Sequence, residues 1–366
     1  MATELIESVS TTVLALPLEQ PRPGPYGMVA STTCLLVEVS TRAGLRGFSN
    51  LTWYNPRALR QIQAVKVLVD DLGELLAGRD ALERAALYQQ LRVATTEVLH
   101  EGIGTMAVGL LDIALWDVAA KHAGVPLAVF LGGKPGPVLA YASHKLGRAD
   151  VGELIEEAGQ LRAAGFAAAK ASVGGRPVRA DVERIRAIRE TLGPDVRLLV
   201  DCGRKPTAAE ALRLAQAIAE YDIYWMEDPV AQADIPGLRW VRERAGIAIA
   251  TGERITGMAE LNGILAADAA DHLTLDIQRM GGISGWLPAA DALRTRTIPL
   301  SSHGGHELQV QLLAAQPHGH YLEYHPWWDV LYVEPLRPRD GALHVPEGPG
   351  LGLELDRAAI ERYRVS

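Results

Sequence analysis

Three acidic residues of this chain recur at one interval. Asp201, Glu227 and Glu253 stand 26 residues apart (227 − 201 and 253 − 227), and each closes a short apolar run: RLLVD, IYWME and IAIATGE. Taken singly, an acid in that place is commonly the N-cap of the following helix, or one half of a salt bridge. Taken together, one structural unit apart, the three would converge on a point, and converging anions repel unless a cation joins them. Oxygen donors without a supporting Cys or His select a hard ion, Mg2+ in preference to Zn2+.

The next two runs, LTLD and IPLSSH, end in Asp276 and His303. A carboxylate beside an imidazole can accept its N–H, fix the tautomer and raise its basicity, which is what a base for an α-proton needs. Lys170, in AAAKAS, would neutralise a substrate carboxylate. Glu323, in HYLEY, would in its protonated form donate a hydrogen bond to a developing enolate oxygen. Ser143 ends the first run, LAYAS. A solvated lysine, an edge-strand acid and a structural histidine are the plain alternatives for these residues taken one at a time.

Elements able to gather these side chains are legible in the rhythm of the chain. From LGGKPGPV onwards, short apolar runs alternate with helical stretches at 139–143, 167–172, 197–201, 223–227, 247–253, 273–276, 298–303 and 320–324. Eight such units predict a closed parallel barrel, whose functional side chains lie at the carboxyl ends of its strands around one mouth. Ahead of it, residues 32–48 predict a hairpin turning at Gly44, and 56–123 predict helices, the last stopping at Gly124. The Pro- and Gly-rich stretch 330–366 reads as a tail returning to this front domain. The expected division is an α+β front domain over 1–130, the barrel over 131–330 and the tail over 331–366.

Composition narrows the function classes. The 366 residues carry 36 Lys+Arg against 44 Asp+Glu, a formal charge of −8, with 48% hydrophobic and 22% charged residues. This describes a globular chain without the basic character that drives nucleic-acid or acidic-membrane binding. Cys34 and Cys202 are far apart, so no disulfide framework is proposed, and a reducing cytoplasm is expected. The acidic N-terminus lacks the pattern of a signal peptide, and no uninterrupted apolar run reaches membrane-spanning length.

The segments AAKASVG, LLVDCG, WMEDP, TGE, LDIQRMGGISGW, SSHGGHELQVQLLAA and HYLEY resemble the enolase superfamily, and their order and spacing resemble its mandelate racemase subgroup. The resemblance runs over essentially the whole chain. It implies an α/β fold, a (β/α)7β modified TIM barrel with an N-terminal α+β capping domain. It also implies Mg2+ held by Asp201, Glu227 and Glu253, an acid/base pair of His303 and Asp276, and Glu323 and Lys170 on the substrate carboxylate. That this superfamily uses a Lys or His base with Mg2+ and an enediolate is general knowledge of the group. GFSNLTWYNP resembles the capping loop, which implies that Tyr54 reaches the substrate; Ser143 and Ser172 complete the expected binding set. The partners implied are a small carboxylate substrate and, by resemblance, further copies of the chain in a homo-oligomer.

Two departures stand out. Where the family pattern is K-x-K, the chain has Lys170-Ala171-Ser172, and a serine cannot remove an α-proton at neutral pH without an activating partner. Gly203 stands where the racemase carries an amide side chain. A one-base site suits dehydration of an acid sugar or related hydroxy acid, with Lys145, Arg204, His306 and His325 as polar residues expected around the mouth. Racemisation or epimerisation of an α-hydroxy acid is the alternative, and a non-catalytic pseudoenzyme is the rival from another class.

Overall fold

The computed structural model describes residues 3–24, 27–55, 57–99, 101–148 and 150–365. The chain opens with a three-stranded antiparallel sheet: β1 (Ile6–Gly24), β2 (Gly27–Thr41) and β3 (Arg46–Trp53), in the order β1-β2-β3. β2 and β3 are the expected hairpin, and Gly44 holds φ +91° in the turn between them, a conformation closed to most side chains. β1 was not anticipated from the sequence. Its alternation is clear only beside β2, where Val9 faces Val39 and Val13 faces Leu35.

Three helices follow, α1 (Ala58–Glu74), α2 (Arg84–Leu99) and α3 (Ile103–His122), and then one turn, α4 (Leu127–Phe130). α3 is long and apolar enough to cross a membrane, with a mean hydropathy of 1.6, but 83% of that stretch is buried inside the fold. Its all-round apolar surface has a tertiary cause, because it is packed between the front sheet and the barrel. Asp117, within α3, accepts the backbone N–H of Phe48 at 3.1 Å and of Leu351 at 2.8 Å, and pairs with Lys121 at 2.7 Å. One buried carboxylate thus ties together the front sheet, its own helix and the C-terminal segment.

The barrel alternates strand and helix: β4 (Pro137–Ala142), α5 (Val151–Ala163), β5 (Ala168–Ser172), α6 (Val178–Leu192), β6 (Arg197–Asp201), α7 (Ala208–Ile218), β7 (Ile223–Glu227) and α8 (Ile235–Arg242). It continues with β8 (Ile249–Thr251), α9 (Met258–Ala266), β9 (His272–Leu275), α10 (Gly282–Arg294), β10 (Leu300–Ser302), α11 (His306–Ala314) and β11 (Leu322–Tyr324). Seven helices between eight strands make the (β/α)7β arrangement, since a 3-10 turn over Pro326–Leu331 follows β11. The strands pair in parallel in the order β10-β9-β8-β7-β6-β5-β4-β11. The ring closes where Ser302 N–H donates to the Tyr321 carbonyl at 2.9 Å and His320 N–H to that of Leu300 at 2.8 Å.

Tyr141, Ala168, Leu199, Trp225, Ala250 and Tyr321 fill the barrel interior, with Tyr141 and Trp225 edge to face at 5.6 Å. Side chains two apart on a strand share a face. The residues that floor the barrel at Leu199 and Trp225 therefore put Asp201 and Glu227 above them on the same inner face. The tail supplies β12 (Ala342–His344), antiparallel to β4, and α12 (Arg357–Tyr363), beyond which Val365 N–H donates to the Val13 carbonyl at 2.8 Å.

The front domain meets the barrel where α3 crosses the start of α10. A Cβ on Gly109 would lie 2.6 Å from the backbone nitrogen of Gly282, so only glycine permits this approach. Beside it, Asp112 accepts the Ser284 N–H at 2.8 Å and hydroxyl at 2.6 Å, and Trp116 Nε1 donates to the same hydroxyl at 3.0 Å. This contact anchors the loop after β9, which carries Asp276.

Candidate active site

Strand register brings the expected acids side by side. Ser172 is the Cα partner of Asp201 and Asp201 that of Glu227, so three successive strand ends lie level at the mouth. Glu253 follows two residues after the end of β8.

Lys170 is the hub of the β5 side. Its Nζ lies 2.9 Å from Glu227 Oε2, 2.8 Å from Glu323 Oε1 and 3.9 Å from Asp201 Oδ2, and 5.1 Å from the centre of the Tyr141 ring. Burial pulls a lysine down, but Glu227 and Glu323 override it and hold this ammonium well above the ordinary value. Burial pushes the Glu227 carboxyl up to about 8 against the pull of Lys170, with Asp201 and Glu323 adding to the rise. Burial acts on Glu323 too, yet Lys170 and His325 hold it well below the carboxylate range. Glu323 Oε2 also accepts the Gly304 N–H at 2.8 Å. Glu323 meets its neighbours here as an acceptor, with the Lys170 ammonium and the Gly304 N–H on its two oxygens.

His303 is the hub of the opposite side. Its Nδ1 lies 2.9 Å from Asp276 Oδ2 and its Nε2 3.1 Å from Glu253 Oε2. Asp276 is itself fixed, its Oδ1 accepting the Gln278 N–H at 2.8 Å and its Oδ2 lying 3.3 Å from Arg279 Nε. Burial pulls the imidazole down, but Glu253 and Asp276 outweigh it and raise its pKa to about 10. Glu253, despite burial, is held well below the carboxylate range by His303 and Arg204. Arg204, on the loop after β6, pairs with both Asp228 and Glu253.

Among the described residues no three His, Cys, Asp or Glu side chains are grouped as a metal site. Asp201, Glu227 and Glu253 share one rim, but their charges are met by Lys170, Arg204 and His303. The donor set nevertheless fits a hard divalent cation. It is all carboxylate oxygen, Glu227 is fully buried, and burial drives both it and Asp228, pushed up to about 6, towards neutrality. Such an anion cluster gains from a further positive charge.

A cavity of about 590 Å3 opens between the front domain and the His303 side, lined by Glu253, Asp276 and His303 and by Tyr54. Tyr54 packs edge-on against Trp327 at 4.8 Å. Lys170, Asp201, Glu227, Glu323, Ser143 and Ser172 are not among its lining residues. Ser172 N–H donates to the Leu146 carbonyl at 3.3 Å and its carbonyl accepts from Arg184 Nη1 at 2.8 Å; Ser143 N–H donates to the Tyr324 carbonyl at 3.2 Å. Of the polar residues expected around the mouth, His325 lines the cavity, with Nε2 3.4 Å from Glu323. Lys145 turns instead to Gln160 on α5, at 2.8 Å. His306 is buried and stacked on Trp328 at 5.8 Å, and burial lowers its pKa to about 4, which makes it a packing residue.

Arg254, Arg279, Gln278, Asn50 and Gln61 also line the cavity and were not identified from sequence. Arg254 and Arg279 follow Glu253 and Asp276 by one and three residues, and this adjacency was the available signal. Asn50 had none, because its role is long-range: its Nδ2 donates to Glu307 Oε1 at 2.8 Å and its carbonyl accepts from Gln278 Nε2 at 2.5 Å.

Residues 8–132 match the N-terminal domain of mandelate racemase and muconate lactonizing enzyme, and residues 153–359 match an enolase C-terminal domain-like model. The 3,6-anhydro-alpha-L-galactonate cycloisomerase of Streptomyces coelicolor is 30% identical, over 99% of this chain and 100% of its own. The L-talarate/galactarate dehydratase of Salmonella typhimurium is 29% identical, over 97% of this chain and 90% of its own. A crystal structure of an enolase from Bradyrhizobium, complexed with magnesium and mandelic acid, superposes with a TM-score of 0.93 at 33% identity, each chain covered completely.

Proposed function

We propose, from the premise that this chain belongs to the enolase superfamily in its mandelate racemase subgroup, that it is a β-eliminating enzyme acting on an acid sugar or related hydroxy acid. The observation that carries this reading is the asymmetry of the site. One wall holds an oriented imidazole, His303 on Asp276; the other has Ser172 where a second base would stand.

The residues divide the work as follows. Asp201, Glu227 and Glu253 would hold Mg2+, which when bound supplies positive charge beside the substrate carboxylate. Lys170, kept as an ammonium by its carboxylate neighbours, adds a second positive charge on that side. Asp276 holds the proton on Nδ1 of His303. Glu253, whose contact with Nε2 raises the imidazole to about 10, would as a metal ligand leave that nitrogen, so that Nε2 is free to take the α-proton, and Asp276 then stabilises the imidazolium. As the β C–O bond breaks, the same imidazolium returns its proton to the departing oxygen. The enol so formed becomes a 2-keto acid. Tyr54 contacts the substrate from the front domain, with Ser143 and Ser172 on the β4 and β5 side.

If the departing oxygen is a free hydroxyl, the reaction is dehydration. If it is the ether oxygen of a ring, the same step opens the ring and is a net isomerisation, the reading favoured by the similarity to the cycloisomerase. Racemisation or epimerisation needs a base on both faces and is less well supported by Ser172. The test is a screen of the protein with Mg2+ against mono- and diacid sugars and anhydro sugar acids in D2O. Mass and NMR separate loss of water from isomerisation; turnover without keto acid, or full activity in excess chelator, would sink the proposal. The cytoplasmic setting is supported by two free, buried cysteines. Self-association, which the family resemblance implies, is checked by light scattering.

A further inference from the structure

The Asp276–His303 pair is held from outside the barrel mouth. Asp276 Oδ1 accepts the backbone N–H of Gln278 at 2.8 Å and of Arg279 at 3.2 Å, so this carboxylate moves with the loop after β9. That loop is tied to the front domain: Gln278 Nε2 donates to the Asn50 carbonyl at 2.5 Å and to Asn50 Oδ1 at 3.3 Å. Asn50, on β3, in turn donates through Nδ2 to Glu307 Oε1 at 2.8 Å and to the Tyr332 hydroxyl at 2.9 Å. The other oxygen of Glu307 accepts from Trp328 Nε1 at 2.7 Å.

Glu307 also belongs to the first turn of α11, the helix that begins just beyond His303. From the same helix, Gln309 Nε2 donates to the carbonyls of His303 at 2.8 Å and Gly304 at 2.9 Å. Both members of the pair are thereby referred to one carboxylate, Asp276 through Gln278 and Asn50, and His303 along its own chain. Glu307 is 1% exposed, and among the described residues its one ion-pairing neighbour is the His306 imidazole, with Nδ1 at 3.5 Å. A buried anion met mainly by neutral donors is a poor source of stability, and its best-attested use is to fix register.

We infer that Glu307 is a positioning residue for the Asp276–His303 pair, acting through Asn50 and Gln278, so that the seating of the front domain sets the geometry of the base. This rests on the acid/base role proposed for the pair.

The Nδ1 proton of His303, held on Asp276, reports that geometry directly. It is followed by NMR in the Mg2+-loaded protein with isotope-labelled histidine, and is identified by its loss in His303→Asn. Glu307→Gln keeps the shape but turns one acceptor oxygen into an NH2 facing a donor, either Asn50 Nδ2 or Trp328 Nε1. Solvent exchange of the His303 Nδ1 proton is expected to become at least about tenfold faster. Adding Asn50→Asp restores one amide against one carboxylate in reversed order, and should return the rate to within about threefold of native. A merely structural bond would lower the melting temperature without moving this proton. With any of galactarate, D-gluconate or mandelate whose α-proton exchanges in D2O, Glu307→Gln should lower the saturated rate about 10- to 100-fold and change KM less than about threefold. Should Glu307→Gln fail to fold, Gln278→Met, which cuts only the link to Asn50, is read in the same way. An Nδ1 proton absent from the native protein, unmoved by these variants, or not restored in the double variant overturns the inference. Exchange of α-protons by the native protein bears on the parent reading alone. Such exchange beside an Nδ1 proton that ignores Glu307 leaves that reading standing and removes this one; a responsive Nδ1 proton without exchange does the reverse.

Discussion

On the β5 wall, Lys170 is wrapped by carboxylates from three strands, and the next inward-facing residue is Ser172. On the β9–β10 wall, His303 is braced from behind by Asp276 and opens onto the cavity. Both walls set a cationic group among acids at strand ends. They differ in what lies beyond it: Lys170 is enclosed and its proton is held by its neighbours, whereas His303 has one fixed partner and one exchangeable one, Glu253. Positive charge that must stay is best buried among carboxylates, and a proton that must move needs a free side.

The largest effect should come from removing the moving proton. His303→Asn is expected to lower α-proton exchange by about 10^4-fold, near the upper end of what a positioned base contributes. NMR in D2O reads it directly, and exchange persisting at the native rate would move the base to the other wall. Asp276→Asn leaves the imidazole in place and removes its orientation, so exchange should fall by a smaller factor, on the order of 10^2 to 10^3. Mg2+ affinity, measured in parallel, should change little.

The comparison can also be broken from the β5 wall. Ser172→Lys would place an amine level with Asp201 and Glu227, within the field of anions that keeps Lys170 protonated. Slow exchange of the opposite enantiomer is expected, well below the native rate. Its absence, with Mg2+ binding intact, would show that these carboxylates hold a second ammonium as firmly as the first.

The smallest effect concerns the support of the His303 wall. Asp112, fully buried at the α3–α10 contact, is pushed by burial up to about 7, against hydrogen bonds from Ser284 that lower it. Its folded value lies above its unfolded one of 3.8. Its stabilising contribution is therefore complete below about pH 4 and declines as pH rises to 7, by up to about 4 kcal/mol in all. Asp112→Asn removes that slope. The melting temperature of the variant relative to the native protein should climb between about pH 4 and 7 and then level off; a constant offset would contradict the shift.

The eight barrel strands, the helices over 56–123 and the acids at strand ends were legible because each depends on local alternation or on position relative to a strand. β1 was less so: its alternation shows only against β2, and its Pro-containing end obscures the period. The coupling of Asn50 to Glu307 and Gln278 links positions more than 200 residues apart, which no local pattern reports.

The sequence by itself determined the order of strands and helices in the barrel, the family, and which side chains stand at the rim, because a two-residue period and a βα repeat are properties of neighbours along the chain. The tertiary structure decided the state of those side chains. Glu323 accepts from Lys170 of another strand and from the Gly304 N–H, Arg204 pairs with Glu253 from the loop after β6, and Arg254 lines the cavity. These outcomes are set by distances between loops far apart in the chain, and the energy of a buried charge depends on those distances before it depends on residue type.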